Sequence, residues 1–253
     1  HLPNTKDLSV WLGYLRAWHL THAGHLPVLV YLDPKSGGGF DNFETHLDNY
    51  IRKYFLNSLM DDIIFKPGDF NVPAGKTLCE HVIVQDWKNL EELKNKTIFC
   101  ITGKNGWNKT YSEKDLLTRR LCFSDKEYDN MDALPPDSGN IIFFNFHVHS
   151  SSTDKWTASI PAFTSKNLIT RAFEVNGEDL WSSCIKATFS AVATNKIRNH
   201  KWAYVSNDKT IYKVKETSLA SFYGSLKNKA NNKYRNDHAT EMVSAYEDNS
   251  CKF

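Results

Sequence analysis

No run of about 18 consecutive apolar residues occurs in the 253-residue chain, which excludes an ordinary membrane-spanning helix. Neither sign of charge predominates: Lys and Arg number 31 against 29 Asp and Glu, a formal +2. The broad basic footprint of a nucleic-acid binder is therefore missing, and no nucleic-acid partner is expected. No GxGxxG or GxxxxGK[ST] is present, so the common phosphate cradles of nucleotide-binding folds are absent, as is a Gly-x-Ser-x-Gly nucleophile elbow. Cys79, Cys100, Cys122, Cys184 and Cys251 form no Cys-x-x-Cys, and five cysteines cannot all pair within one chain. The chain opens at His1 with neither a basic n-region nor an apolar h-region, so any targeting segment is expected to lie outside it. Two glycosylation-type triplets, Asn95-Lys-Thr and Asn108-Lys-Thr, lean towards an exported, secreted protein. What is present in quantity is aromatic: 7 Trp, 11 Tyr and 15 Phe, ample for a large core.

Periodicity organises the chain. Leu8, Trp11, Leu12, Leu15 and Trp18 follow the spacing of one helical face behind Asp7 as N-cap, and Gly24 ends that helix. Pro27 to Asp33 is a nearly continuous apolar run, which predicts a strand buried on both faces. A Gly-rich loop follows. Asp41-Asn42-Phe43-Glu44 and Thr77-Leu78-Cys79-Glu80 read as capping boxes opening helices. Further strands are expected at 97–102, 121–123, 140–146, 167–173 and 189–194. A helix carrying Leu180, Trp181, Cys184 and Ile185 is expected between the last two. From about residue 200 the chain turns rich in Lys, Asn, Asp and Ser, so 201–253 is expected to be a polar C-terminal extension to a domain over 1–200.

Apolar strands alternating with helices argue an α/β class with a parallel sheet. With no glycine fingerprint after the first strand, and polar groups at a strand's carboxyl end instead, a TIM-type (β/α)8 barrel fits better than a doubly wound sheet. About six strands are present, so the barrel is incomplete.

The strongest chemical grouping is His1, Asp33 and Lys35. A strand ending at Asp33 puts that carboxylate at the barrel mouth, with Lys35 one pleat further on the same side. A carboxylate, an ammonium and three following glycines can hold a divalent cation together with a phosphate oxygen. The alternative is a surface Asp–Lys pair on a loop.

His1, the helix to Trp18 and the stretch Gly24-His25-Leu26-Pro27-Val-Leu-Val-Tyr-Leu-Asp33-Pro-Lys35 resemble the catalytic barrel of phosphatidylinositol-specific phospholipase C. The likeness is strongest to its calcium-dependent, bacterial-type members. Thr77 to Glu80, Trp87 to Leu93, Lys94 to Cys100, Leu121 to Phe123, Ile169 to Phe173 and Ala191 to Asn195 continue the resemblance in order, over roughly residues 1 to 196. It implies calcium-assisted cleavage of a phosphoinositide or related phospholipid, acting at a peripheral membrane surface. On that resemblance Asp33 stands where a Ca2+-ligating carboxylate, usually Glu, is found, one methylene shorter. Lys35 stands where a basic residue meets the substrate phosphate. His1 matches the second of two catalytic histidines, the general acid for the diacylglycerol leaving oxygen, a task suited to imidazole. His1 as a tag or cut-site remnant is the other reading.

The family's His-Asn strand and acidic-pair strand are not matched, so the chain alone is expected to be inactive. Thr194-Asn195 replaces the family's frequent Thr-Asp. Two alternatives stay open: a non-catalytic barrel that binds a lipid headgroup or a protein, and a glycerophosphodiester phosphodiesterase.

Other residues carry paired readings. His147 and His149, two apart on a strand, could share a transition metal or could simply cap a buried strand with soluble loop. Arg171, inside an otherwise apolar strand, needs an anionic partner: either a phosphate or headgroup, or an internal ion pair. Trp107 either touches a membrane interface or covers the barrel rim. His19, His22 and His25 are expected at a solvated edge.

Overall fold

The computed structural model describes residues 7–34, 42–56, 61–103, 111–112, 119–128, 139–148, 153–175, 180, 183–184 and 187–193. His1, Lys35, Trp107, His149 and the extension 201–253 lie outside them. In chain order the elements are α1 (Leu8–Thr21), β1 (Val28–Leu32), α2 (Phe43–Ile51), α3 (Leu78–Gln85), α4 (Leu90–Leu93), β2 (Thr97–Ile101), β3 (Cys122–Glu127), β4 (Phe143–His147), α5 (Thr153–Thr164), β5 (Ile169–Phe173) and β6 (Ala191–Val192). A π-helical turn over Arg52–Leu56 extends α2. The six strands follow the order β1-β2-β3-β4-β5-β6, and the fold is an incomplete α/β barrel of the TIM type. β1 and β2 pair in parallel from Val28 opposite Thr97 to Leu32 opposite Ile101, and Phe99 of β2 lies opposite Cys122 of β3. Among the described residues no helix is long and apolar enough to cross a membrane.

Two compact units divide the chain. One runs through Glu127 and takes in Phe143 and Phe144; the other starts within β4 at Asn145.

In the first unit α1 begins where Asp7 accepts a hydrogen bond from the Ser9 N–H at 3.0 Å. α1 and α2 bury Leu12, Leu47 and Ile51 with Phe55 against Phe99 and Ile101. Cys122 of β3 shares that cluster, and the pleat sends its neighbour Phe123 the other way, where with Phe143 of β4 it joins Phe65, Phe70 and Trp87. Ring centroids there stand 5.2 Å apart for Phe123–Phe143 and 5.1 Å for Phe70–Trp87. Such rings bury large apolar areas in edge-on and tilted pairs. In the second unit Phe146 meets Phe163 of α5 at 5.5 Å and Phe189 at 5.6 Å.

α3 starts as expected, with Thr77 and Glu80 exchanging both capping bonds. Elsewhere the structure corrects the sequence reading. β1 is not buried on both faces: all five of its residues are half-buried, because it stands at the end of the strand order. An apolar run specifies a strand but not what covers it. α2 does not open with the expected box. Asn42 caps it in the left-handed conformation without a side-chain bond, and Glu44 is turned inward to Arg120 at 3.8 Å. β3 runs on to Glu127 past the expected end at Phe123, and carries buried Ser124 and Asp125. β6 is shorter than expected, at two residues.

α5 was not anticipated. Pro161 inside it and the serines before it obscure Trp156, Ile160 and Phe163, which sit at helical spacing and are buried. The three histidines are not one solvated edge. His22 is exposed, but His19 and His25 are buried, their rings 2.8 Å apart at Nδ1 and Nε2. Burial first, and His25 second, hold the His19 imidazole below its ordinary range. Cys79, Cys100, Cys122 and Cys184 are buried free thiols, and burial pushes the Cys122 thiol up.

Candidate functional site

Each compact unit carries one polar constellation on its strands, in the first unit just past the carboxyl ends of β1 and β2, the side on which barrel enzymes place their chemistry. In the first, Asp33 directly follows β1 and is exposed. The ladder continues beside it, where the Thr102 N–H donates to the Leu32 carbonyl at 2.8 Å. The next residue, Gly103, holds φ +122, and a Cβ there would stand 2.9 Å from Asp33 Oδ1. Glycine is required twice at this position: by its backbone angle and by the approach of the carboxylate. The tight turn therefore leaves Asp33 a cradle that any side chain at 103 would fill.

In the second unit, β4 and β5 bring five side chains together. Alternation puts Asn145 and His147 on one face of β4, and Arg171 and Phe173 on one face of β5. Arg171 is half-buried and its guanidinium donates to Asn145 Oδ1 at 3.1 Å. The same guanidinium stands 5.9 Å from the centre of the Phe173 ring. His147 stacks on that ring, 4.9 Å between centroids and 15° between planes. The other side of the imidazole meets Glu174, with Nε2 to Oε2 at 2.7 Å.

Sequence reasoning singled out Arg171 and His147, and missed their neighbours. Asn145 could have been found by counting back one pleat from His147. Glu174 gave no signal, because it reaches His147 only through a left-handed backbone at φ +59. Gly103 likewise gave none before β1 and β2 were known to be neighbours.

A third polar group, on the helix side of the first unit, is buried. Arg120 reaches Asp48 at 3.5 Å and Glu44 at 3.8 Å. The Tyr111 hydroxyl donates to Asp48 and accepts from the Cys122 N–H at 3.0 Å. Burial raises the Asp48 carboxyl, opposed by the Tyr111 hydrogen bond, and pushes the Tyr111 phenol well above its ordinary range. This network ties α2 to the start of β3.

No protein-family model and no curated protein sequence matches the chain. Solved structures do. A calcium-dependent phosphatidylinositol-specific phospholipase C from Streptomyces antibioticus aligns with a TM-score of 0.57 at 18% identity, over 75% of this chain and 70% of that one. A calcium-dependent phosphoinositol-specific phospholipase C from the Gram-negative Pseudomonas sp. aligns with a TM-score of 0.57 at 19% identity, over 74% of this chain and 66% of that one. Its myo-inositol complex aligns with a TM-score of 0.58 at 19% identity. The fold is that of these phospholipases C. At such identity the likeness establishes architecture, not reaction.

On this phospholipase C fold, calcium chemistry can be tested against the donors present. An exposed carboxylate such as Asp33 is by its chemistry a suitable hard-oxygen donor. Yet among the described residues no group of three His, Cys, Asp or Glu is arranged to hold a metal ion. Asp33 is thus at most one donor and not a site by itself, and no reaction step is routed through an ion here.

Proposed function

We propose that this protein cleaves the phosphodiester of a phosphoinositide or related phospholipid by a phospholipase C-type reaction. In this reading Asp33 is a Ca2+ ligand, Lys35 and Arg171 contact the phosphate or headgroup, and His1 is the general acid. The observation that carries the reading is the shared fold, with Asp33 directly after the first strand of the sheet.

The inositol 2-hydroxyl attacks phosphorus, forming a new P–O bond and a cyclic phosphate. The P–O bond to diacylglycerol breaks as His1 delivers a proton to the leaving oxygen. A guanidinium and an ammonium favour the transition state because negative charge spreads over the phosphoryl oxygens as the bonds exchange. Calcium, when bound, adds neutralisation of the same charge. The proton of the attacking hydroxyl must go to a base, and the matched positions supply none. The 253-residue chain by itself is accordingly read as inactive, with export and action at a peripheral membrane surface belonging to the same proposal.

The test is inositol phosphate release from phosphatidylinositol vesicles by the full-length protein, with and without a calcium chelator, beside glycerophosphocholine as a second substrate. Release that stops on chelation supports the reading. Release that ignores chelation removes the metal from it. Turnover of glycerophosphocholine alone makes the protein a glycerophosphodiesterase. Headgroup binding without any turnover makes it a binding barrel.

A further inference from the structure

We propose that Glu174 and His147 are positioning residues for Arg171, an inference resting on the reading of Arg171 as a phosphate or headgroup contact. The chain of contact runs from a carboxylate through two rings to a guanidinium. Glu174 holds His147 at 2.7 Å, His147 lies flat on Phe173 at 4.9 Å, and Phe173 faces Arg171 at 5.9 Å. Asn145 fixes Arg171 from the other strand at 3.1 Å.

The backbone argues that Glu174 is placed for this purpose and not left there by chance. Had β5 continued, residue 174 would point to the face opposite Arg171 and Phe173. Instead it turns left-handed at φ +59, a conformation that costs any residue with a Cβ and that Gly or Asn would adopt more readily. Hydrogen bonds on both sides hold the turn: the Val148 N–H donates to the Phe173 carbonyl at 3.4 Å and the Val175 N–H to the Ala193 carbonyl at 3.1 Å. The result brings the carboxylate round to the imidazole. Strain kept at a non-glycine residue beside a half-buried arginine is the mark of a site whose geometry matters.

A side chain such as Arg loses much rotamer freedom on binding an anion, so fixing its platform beforehand strengthens binding without adding a contact. Orienting partners behind a primary contact act in the same way at metal-bound histidines. A merely structural turn and a positioning turn make opposite demands on residue 174. Glycine would relieve the backbone while deleting the carboxylate.

The experiment uses the 253-residue chain, with myo-inositol 1-phosphate as probe and NMR of the His147 imidazole protons and the Arg171 Nε–H as a readout independent of any ligand. Stacking on Phe173 places the His147 protons upfield in the wild type. Glu174→Gly is expected to move them downfield, shift the Arg171 resonance and weaken probe binding on the order of tenfold, a loss typical of one charge-assisted contact. Its melting temperature should be unchanged or raised. Glu174→Gln, which keeps a hydrogen-bond acceptor, should recover part of the affinity. Glu174→Gly with Arg171 resonance and affinity both unmoved would overturn the proposal. If the wild type does not bind the probe but Glu174→Gly still shifts Arg171, the positioning holds and the headgroup reading fails.

Discussion

Two buried or half-buried arginines show how the same side chain serves different ends in the two units. Arg120 is 6% exposed and lies between Asp48 and Glu44, with the Tyr111 ring beneath its guanidinium at 5.2 Å. Arg171 is only half-buried, donates a hydrogen bond to the neutral amide of Asn145, and stands in the middle of β5. The first is committed to carboxylates of its own chain and holds two elements together. The second is held in direction by an amide and an aromatic ring. An arginine with an ion-paired, closed surrounding is architecture, whereas one oriented by an amide and an aromatic ring suits an incoming anion.

The comparison is broken most directly at Asp48. Asp48→Ala leaves Arg120 and the Tyr111 hydroxyl underpaired in the interior and should cost about 3–5 kcal/mol of stability in urea unfolding. A loss below about 1 kcal/mol would mean the network is dispensable. Gly103→Ala is the next largest. The φ of +122 and the Cβ 2.9 Å from Asp33 Oδ1 predict a cost of about 1–3 kcal/mol. The same change swings the Asp33 carboxylate aside, so any rise in melting temperature on adding calcium should shrink, and Asp33→Asn should shrink it further.

Arg171→Gln sharpens the contrast from the other side: stability within about 1 kcal/mol of wild type, but at least about tenfold weaker myo-inositol 1-phosphate binding. Destabilisation as large as that of Asp48→Ala would make Arg171 architectural too.

The smallest effect concerns His19. Its imidazole is held below the ordinary range by burial, with His25 and Lys96 adding to the shift and Asp62 opposing it. The unfolded chain therefore takes up the proton first as pH falls. Stability is complete above about pH 6.5 and declines as pH drops through the folded-state value. As the pH falls from 7 to 5.5 the wild type should lose stability that a His19→Phe variant retains. Equal slopes for the two proteins would clear His19 of the effect.

The fold class was legible because alternation between short apolar runs and amphipathic helices is a local property. Thr77 to Glu80 capped α3 as read, and Asp7 capped α1, since a cap needs only its own next three residues. Readings failed where the outcome depended on distant partners. His19 and His25 look soluble in sequence and are buried because each supplies the other's hydrogen bond. Glu44 looks like a helix-start carboxylate and is drawn inward by Arg120, 76 positions along. At the candidate site the strand pattern alone picked out Arg171 and His147. It could not tell which groups would face them.

What the sequence determined by itself was the set of strands, their order and several of the helices between them. These follow from periodicity and capping, which act over a few residues. Only the tertiary structure decided that a glycine after β2 opens space for Asp33, that Glu174 turns back on His147, and that Arg120 is locked in an ion-pair network. Each depends on residues from separate strands or helices meeting at hydrogen-bond distance. That register is set when the whole sheet packs, and no local pattern encodes it.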